Sequence, residues 1–246
     1  MNLIFLRKIK LFLFSHLIPP SLRFGVINLK MRFLGHNRRY YYSQYGEDVV
    51  LASIFKNQEK GFYVDVGAHH PARYSNTRLL HERGWRGMNI DANPGSIRLF
   101  QRDRPWDINI ASGIAEQEGV MIYWMFSDPA VNTFSERDAE KWLGKKWIRL
   151  LKKEPVIVAP LKEVLEKFLS PDTNIDLLNI DAEGLDFQVL RSNDWAKFCP
   201  KVIVIEAQAT APHSQHLMSF LEERGYRLYT RMGLSLIFVS AGIKDI

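Results

Sequence analysis

From residue 61 onward, short apolar runs alternate with segments whose apolar positions fall three and four residues apart. The first pattern marks a strand and the second an amphipathic helix. Residues 61–67 read as a first strand, followed by a helix from Ser75, a good cap, to about Arg83, with Gly84 as its stop. Residues 86–91 read as a second strand, and Pro94 opens a helix running to about Arg102. Asp107 to Ala111 reads as a third strand, and Gly119 turns into the apolar run Val120 to Phe126. Residues 136–152 have a helical pattern and carry Trp142 and Trp147. Pro155 to Val158 is a short strand and Leu161 to Leu169 has helical spacing. Ile175 to Ile180 is almost unbroken in apolar character, as expected for the middle of a parallel sheet. A helix from about Leu185, a strand Val202 to Ile205 and a helix Ser214 to Arg224 follow. Arg227 to Thr230 and Leu234 to Val239 are joined by a turn at Met232-Gly233, and so short a connection makes that pair antiparallel.

The alternation predicts a doubly wound α/β fold with a seven-stranded sheet, mostly parallel and ending in an antiparallel hairpin. In open sheets of this kind a ligand sits beyond the carboxyl ends of the strands. The polar residues expected there are Asp65, Gly67, Ala68 and His69 after strand one, Asp91 and Ala92 after strand two, and Ser112-Gly113 after strand three. Asp181-Ala182-Glu183-Gly184 follows the Ile175 to Ile180 strand. Glu206 and Gln208 follow the next strand, with His213 a little later.

Asp91 lies where a carboxylate takes a ribose diol, roughly 20 residues beyond the first strand's turn. A dinucleotide loop needs further glycines to pass against a pyrophosphate, but here Gly67 is followed by Ala68-His69-His70-Pro71. Pro71 also lacks an N–H for a phosphate. The loop suits a nucleoside ligand without phosphates, and S-adenosylmethionine has a ribose, an adenine and a zwitterionic amino acid. Asp181 is a candidate for proton transfer or cofactor contact. Glu183, two residues on, points to the same side of an extended segment, or balances the next helix's N-terminus. His69 or His70 could act as a general base. Two carboxylates could also hold a divalent cation, but no His-x-x-x-His or cysteine cluster accompanies them, and no metal site is assigned.

Composition narrows the functional class. The 246 residues are 46% hydrophobic and 24% charged, enough for a substantial core in one domain. The net charge of +6 is unevenly placed. Residues 1–46 hold eight Lys and Arg and no Asp or Glu, so the remainder carries −2, the difference between +6 and +8. A near-neutral body argues against nucleic acid as a partner. The chain therefore divides into a basic N-terminal segment, 1–40, and a folded domain, 41–246. In the segment Arg7, Lys8 and Lys10 interrupt the mostly apolar run from Leu3 to Ile18. It is too short and too charged to span a bilayer. It reads as a basic amphipathic helix: residues 1–38 either lie on an anionic membrane surface or pack on protein. Localisation is expected to be cytoplasmic, with peripheral contact at the membrane's inner face. The single cysteine, Cys199, excludes an internal disulfide and reads as a small buried filler.

Several motifs together resemble the FkbM family of S-adenosylmethionine-dependent methyltransferases. They are Ser43-Gln44-Tyr45-Gly46-Glu47-Asp48, Phe62-Tyr63-Val64-Asp65-Val66-Gly67-Ala68-His69-His70-Pro71, Ser75-Asn76-Thr77, Gly84-Trp85-Arg86-Gly87, Ile90-Asp91-Ala92-Asn93-Pro94 and Asp181-Ala182-Glu183-Gly184. The resemblance covers about residues 43–206. It implies the class I methyltransferase fold (Rossmann-like) and an O-methyltransferase whose acceptor is a hydroxyl, commonly on a sugar of a polysaccharide or glycolipid. It implies that Gln44 and Glu47 line the cofactor pocket with Asp65, Gly67 and Asp91. Many relatives carry Lys where this chain has Asn179. On residues alone, Ser43 reads as a helix cap before Val49, Val50 and Ile54.

Two rival readings remain: a non-catalytic scaffold that binds S-adenosylmethionine, and a nicotinamide oxidoreductase, which the glycine spacing and terminal hairpin disfavour. Trp124, Trp142 and Trp147 either stack on sugar faces or pack in the core.

Overall fold

The computed structural model describes residues 41–207 and 212–243. The basic segment 1–40, Gln208 and the side chain of His213 lie outside that description. Helix α1 (Glu47–Ile54) precedes β1 (Phe62–Val66), α2 (Arg78–Glu82), β2 (Arg86–Asp91), α3 (Pro94–Asp103) and β3 (Ile108–Ala111). Next come β4 (Gly113–Ile114), β5 (Gly119–Phe126), a 3-10 turn at Pro129–Val131, α4 (Glu136–Leu143), β6 (Leu150–Ala159) and α5 (Leu161–Phe168). The chain continues through β7 (Leu177–Ile180), α6 (Asp186–Arg191), β8 (Val202–Glu206), α7 (Pro212–Glu222), β9 (Tyr226–Met232) and β10 (Ser235–Ser240). Among the described residues no helix is long and apolar enough to cross a membrane.

The main sheet has seven strands in the order β3-β2-β1-β7-β8-β10-β9. All neighbours pair in parallel except β10, which is antiparallel to both β8 and β9. The order reverses direction between β1 and β7, which is where an open α/β sheet leaves a crevice for a ligand. Four parallel strands end in register there. Val66 pairs with Ile90 and with Ile180, and Ile180 pairs with Ile205. One residue further along each strand, the row across the sheet therefore reads Asp91, Gly67, Asp181, Glu206.

Side-chain alternation separates the two faces of these strands. Val64, Val66, Met88, Ile90, Leu178, Ile180, Ile203 and Ile205 pack against α5, α6 and α7. Tyr63, Leu177, Val202 and Val204 pack with Leu51 and Ile54 of α1, Leu80 of α2 and Trp85. Being covered on both faces is what makes these runs apolar throughout.

The sequence reading departs from this structure in four places. The helix expected over 136–152 stops at Leu143, and the strand expected over four residues extends over ten, Leu150–Ala159. The extension is tertiary in origin: β6 pairs antiparallel with β5 along its length and parallel with β4, making a separate three-stranded sheet. That pairing overrides the helical propensity of Leu-Leu-Lys-Lys-Glu. Ser75 does not cap α2. Thr77 holds that position, and the buried Ser75 hydroxyl accepts from Arg104 Nη2 (3.0 Å). Ser43 lies three residues before Gly46, which holds the cap position of α1, yet its hydroxyl accepts from the N–H groups of Gly46 and Asp48 and so serves the helix start. Cys199 is exposed, not a buried filler, because it lies on the loop before β8 and not within the strand.

Candidate active site

The carboxyl ends of β1, β2, β7 and β8 open into a cavity of about 570 Å³. Gln44, Asp65, Gly67, Ala68, His69, Asp91, Ala92, Ser112, Asp181 and Glu183 all border it, as does Glu206. Its far wall comes from the segment between β5 and β6, which contributes Trp142 and Trp147.

Glu47 does not border the cavity. It is buried, and its two oxygens accept from Tyr45 N–H (2.8 Å) and the Ser235 hydroxyl (2.9 Å), tying α1 to β10. That contact joins residues 188 apart in sequence and leaves no local sign. Asp65 borders the cavity but lies two residues inside the strand-end row. Its oxygens accept from Asn179 Nδ2 (2.8 Å) and Thr77 Oγ1 (2.7 Å). Asn76 in turn donates to Asn179 Oδ1 (2.8 Å). The asparagine at the position where many relatives carry lysine thus bridges Asp65 to the loop after β1. Burial raises the Asp65 carboxyl while these two donors draw it back down.

Arg104 organises the same loop and did not stand out in the sequence. It is fully buried. Its Nη1 donates to Thr77 Oγ1 (2.9 Å) and the Tyr63 hydroxyl (3.1 Å), and its Nη2 donates to the Pro71 carbonyl and Ser75 Oγ. A single planar fork therefore holds both ends of the segment 71–77 against β1.

Asp91 ends β2 with its side chain nearly buried. Its Oδ2 accepts from His69 N–H (2.8 Å) and its Oδ1 from Asn93 N–H (2.7 Å). Burial pushes its pKa up to about 6 against the pull of those two amides. His69 has φ of +55°, an uncommon backbone state for a residue other than glycine. Both of its ring nitrogens are closed to solvent and have no hydrogen-bond partner. Burial, then the neighbouring Arg73, lowers its pKa to about 4, so the ring is neutral at physiological pH. His70 does not border the cavity. Its Nδ1 accepts from the N–H groups of Ala72 (3.0 Å) and Arg73 (2.9 Å), which makes it a loop brace.

Asp181, Glu183 and Glu206 form one cluster, with an oxygen from each within 4.8 Å of the others. Glu183 reaches it from a left-handed backbone position, φ +46°, not from an extended segment. Neither Glu183 nor any other side chain caps α6; Asp186, its first residue, reaches back to the turn before it, accepting from Ala182 N–H (2.8 Å) and Gly184 N–H (3.1 Å). Burial first, and then the neighbouring carboxylates, raise all three members of the cluster. Asp181 lies well above the carboxylate range, Glu183 is pushed to about 9 and Glu206 to about 8. Glu206 joins the cluster only because β8 lies beside β7 in register.

Trp124 packs in a small core with Phe126, Val131, Ala139 and Ile148, under Lys153, whose Nζ lies 3.2 Å from the ring centroid. It is core. Trp147 is 67% exposed and meets Trp142 edge-on, with centroids 5.8 Å apart.

An acidic floor facing a cavity of this volume suits a ligand with a sulfonium and an ammonium. The unpartnered His69 nitrogens mark a polar contact that the protein itself does not complete. The residues present fit S-adenosylmethionine, with Asp91, His69, Ala92 and Ser112 lining one wall of the cavity.

A family model described as the methyltransferase FkbM domain matches residues 65–228. No curated protein matches the chain in sequence. Among solved structures, a TehB-like SAM-dependent methyltransferase from Corynebacterium glutamicum is 12% identical, with 90% of this chain and 100% of that chain covered at a TM-score of 0.40. A precorrin-6y C5,15-methyltransferase from Geobacter metallireducens is 15% identical, covering 78% of this chain and 85% of that one at a TM-score of 0.39.

Proposed function

Because the chain belongs to the FkbM methyltransferase family and uses S-adenosylmethionine, we propose that it methylates a hydroxyl oxygen, on a sugar of a polysaccharide or glycolipid. The observation that carries this reading is Asp181: a carboxyl at the cavity wall, held well above the carboxylate range by burial and by Glu206. A sugar hydroxyl keeps its proton until late in the transfer, so its acceptor must be more basic than an exposed aspartate. Asp181 meets that requirement in its ionised form, the minor form at neutral pH, so the rate should rise as that carboxyl ionises.

Bound S-adenosylmethionine supplies an electrophilic methyl group on a sulfonium; the chain supplies alignment and a proton route. Asp91 orients the ribose, and the acidic floor favours the cationic end of the cofactor. Asp181 receives the hydroxyl proton. His69, neutral but weakly basic at a pKa of about 4, acts by hydrogen bonding, not as the base. Glu183, at about 9, holds its proton at neutral pH and is a donor there. Trp147 and Trp142 at the outer wall offer an apolar face for a pyranose ring.

A screen of glycan acceptors with labelled S-adenosylmethionine tests the reading. Asp181→Asn is expected to abolish transfer while leaving cofactor binding largely intact; loss of binding with an unchanged residual rate would remove Asp181 from the chemistry. The basic segment brings the enzyme to an anionic membrane surface in this reading. Equal partitioning of full-length protein and a form lacking residues 1–38 on cell fractionation would rule that out.

A further inference from the structure

We propose that Asp181, Glu183 and Glu206 form a binding site for one hard divalent cation, of the Mg²⁺, Mn²⁺ or Ca²⁺ class. Three carboxylates from two adjacent strand ends converge on one point of the cavity wall, with an oxygen from each within 4.8 Å of the other two. Two oxygens across a single ion lie about 4–5 Å apart for metal–oxygen bonds of about 2.1–2.5 Å. The donor set is all oxygen, without imidazole or thiolate, which selects hard cations over zinc or copper.

The hydrogen-bond pattern around the cavity points to a missing ligand at this place. The other buried carboxylates nearby are satisfied by the protein. Asp65 has Thr77 and Asn179; Asp91 has two main-chain N–H groups, and so does Asp186. Asp181 Oδ1 is closed to solvent and has no hydrogen-bond partner. Among the described residues no Lys, Arg or His forms an ion pair with any member of the cluster. The protein thus brings three carboxyl groups together and supplies no counter-charge among the described residues, which a bound cation would provide.

The site borders the same cavity as Asp91 and His69, so a bound ion faces the space that cofactor and acceptor would share. An ion there would coordinate the acceptor oxygen and lower the pKa of its hydroxyl, so that the ion-bound form needs a less basic proton acceptor than the raised Asp181 carboxyl of the metal-free form. That role rests on the proposed hydroxyl methylation; the site itself does not.

Calorimetric titration of the full chain with MnCl₂ alone, without cofactor or acceptor, tests the site. Electron paramagnetic resonance of free Mn²⁺ should be followed in parallel. One ion per chain is expected, with affinity at least tenfold weaker in Glu206→Gln and in Asp181→Asn. Each variant's melting temperature without metal checks that it is folded. Added Mn²⁺ should raise the melting temperature of the unaltered protein and not of the variants. No Mn²⁺ uptake at millimolar concentration, or equal uptake by both folded variants, overturns the proposal. Mn²⁺ binding with no methylated glycan would keep the site and remove the acceptor reading.

Discussion

A Cβ placed on Gly67 would lie 1.7 Å from the carbonyl oxygen of Asp181. The absence of a side chain at Gly67 therefore lets β1 close against β7 at the point where the cavity begins. The same residue has φ of +75°, so a second constraint, backbone conformation, selects glycine there.

Gly67→Ala is expected to destabilise the domain by more than its backbone strain of about 1–2 kcal/mol, because a main-chain oxygen cannot move aside. Gly84→Ala is the control: its φ is +96°, but nothing lies within 4 Å of the added carbon. Thermal unfolding should show the larger loss at Gly67, together with loss of S-adenosylmethionine binding. Equal shifts for the two variants would contradict the close approach.

Cofactor affinity should depend on pH through Asp91, whose pKa is raised to about 6. Above that pH the carboxylate is charged and accepts strongly; below it the group carries a proton and one acceptor weakens. Calorimetry is expected to show affinity falling roughly tenfold from pH 7 to pH 5, the worth of one charge-assisted hydrogen bond. Asp91→Asn should be weaker throughout and lose the pH dependence.

Without cofactor or divalent ion, the protein should be more stable at acid than at alkaline pH over the range of the cluster. Glu206 titrates at about 8 in the fold and near the ordinary 4.5 when unfolded. Between those values the folded state holds a proton that the unfolded state has lost. The stabilisation is complete below 4.5 and disappears as pH rises through 8. Glu206→Gln should raise the melting temperature by several degrees at pH 9 and leave it nearly unchanged at pH 5. A constant difference at both values would mean that Glu206 is not a shifted acid.

Arg104→Met should cost about 3 kcal/mol or more in urea unfolding, since it strands buried acceptors on Tyr63, Thr77, Ser75 and Pro71. Arg104→Lys keeps the charge but not the fork, and should recover part of the loss. Full recovery would show that charge alone matters at this position.

Trp124 and Trp147 should separate by phenotype. Trp124→Ala removes a core side chain and is expected to cost about 3–5 kcal/mol of stability. Trp147→Ala, at an exposed ring, should leave stability nearly unchanged and raise KM for the acceptor several-fold with cofactor affinity intact. An unchanged KM would remove Trp147 from acceptor binding.

What the sequence determined by itself was local. Alternating periods defined the strands and helices of the main sheet, because the chain's own repeat decides which side chains can share a face. The hairpin followed from the length of one turn. Strand ends were readable as well, so Asp91, His69, Asp181 and Glu183 could be picked out one at a time. The tertiary structure decided which of these residues meet. The row Asp91, Gly67, Asp181 and Glu206 exists because four strands, far apart in the chain, end in register, and register is a property of pairs of strands. Glu47 looked like a pocket residue until its partner, Ser235, was placed beside it. The small second sheet turned an expected helix into a strand for the same reason: hydrogen bonds from β5 outweighed the preference of residues 150–152 for a helix.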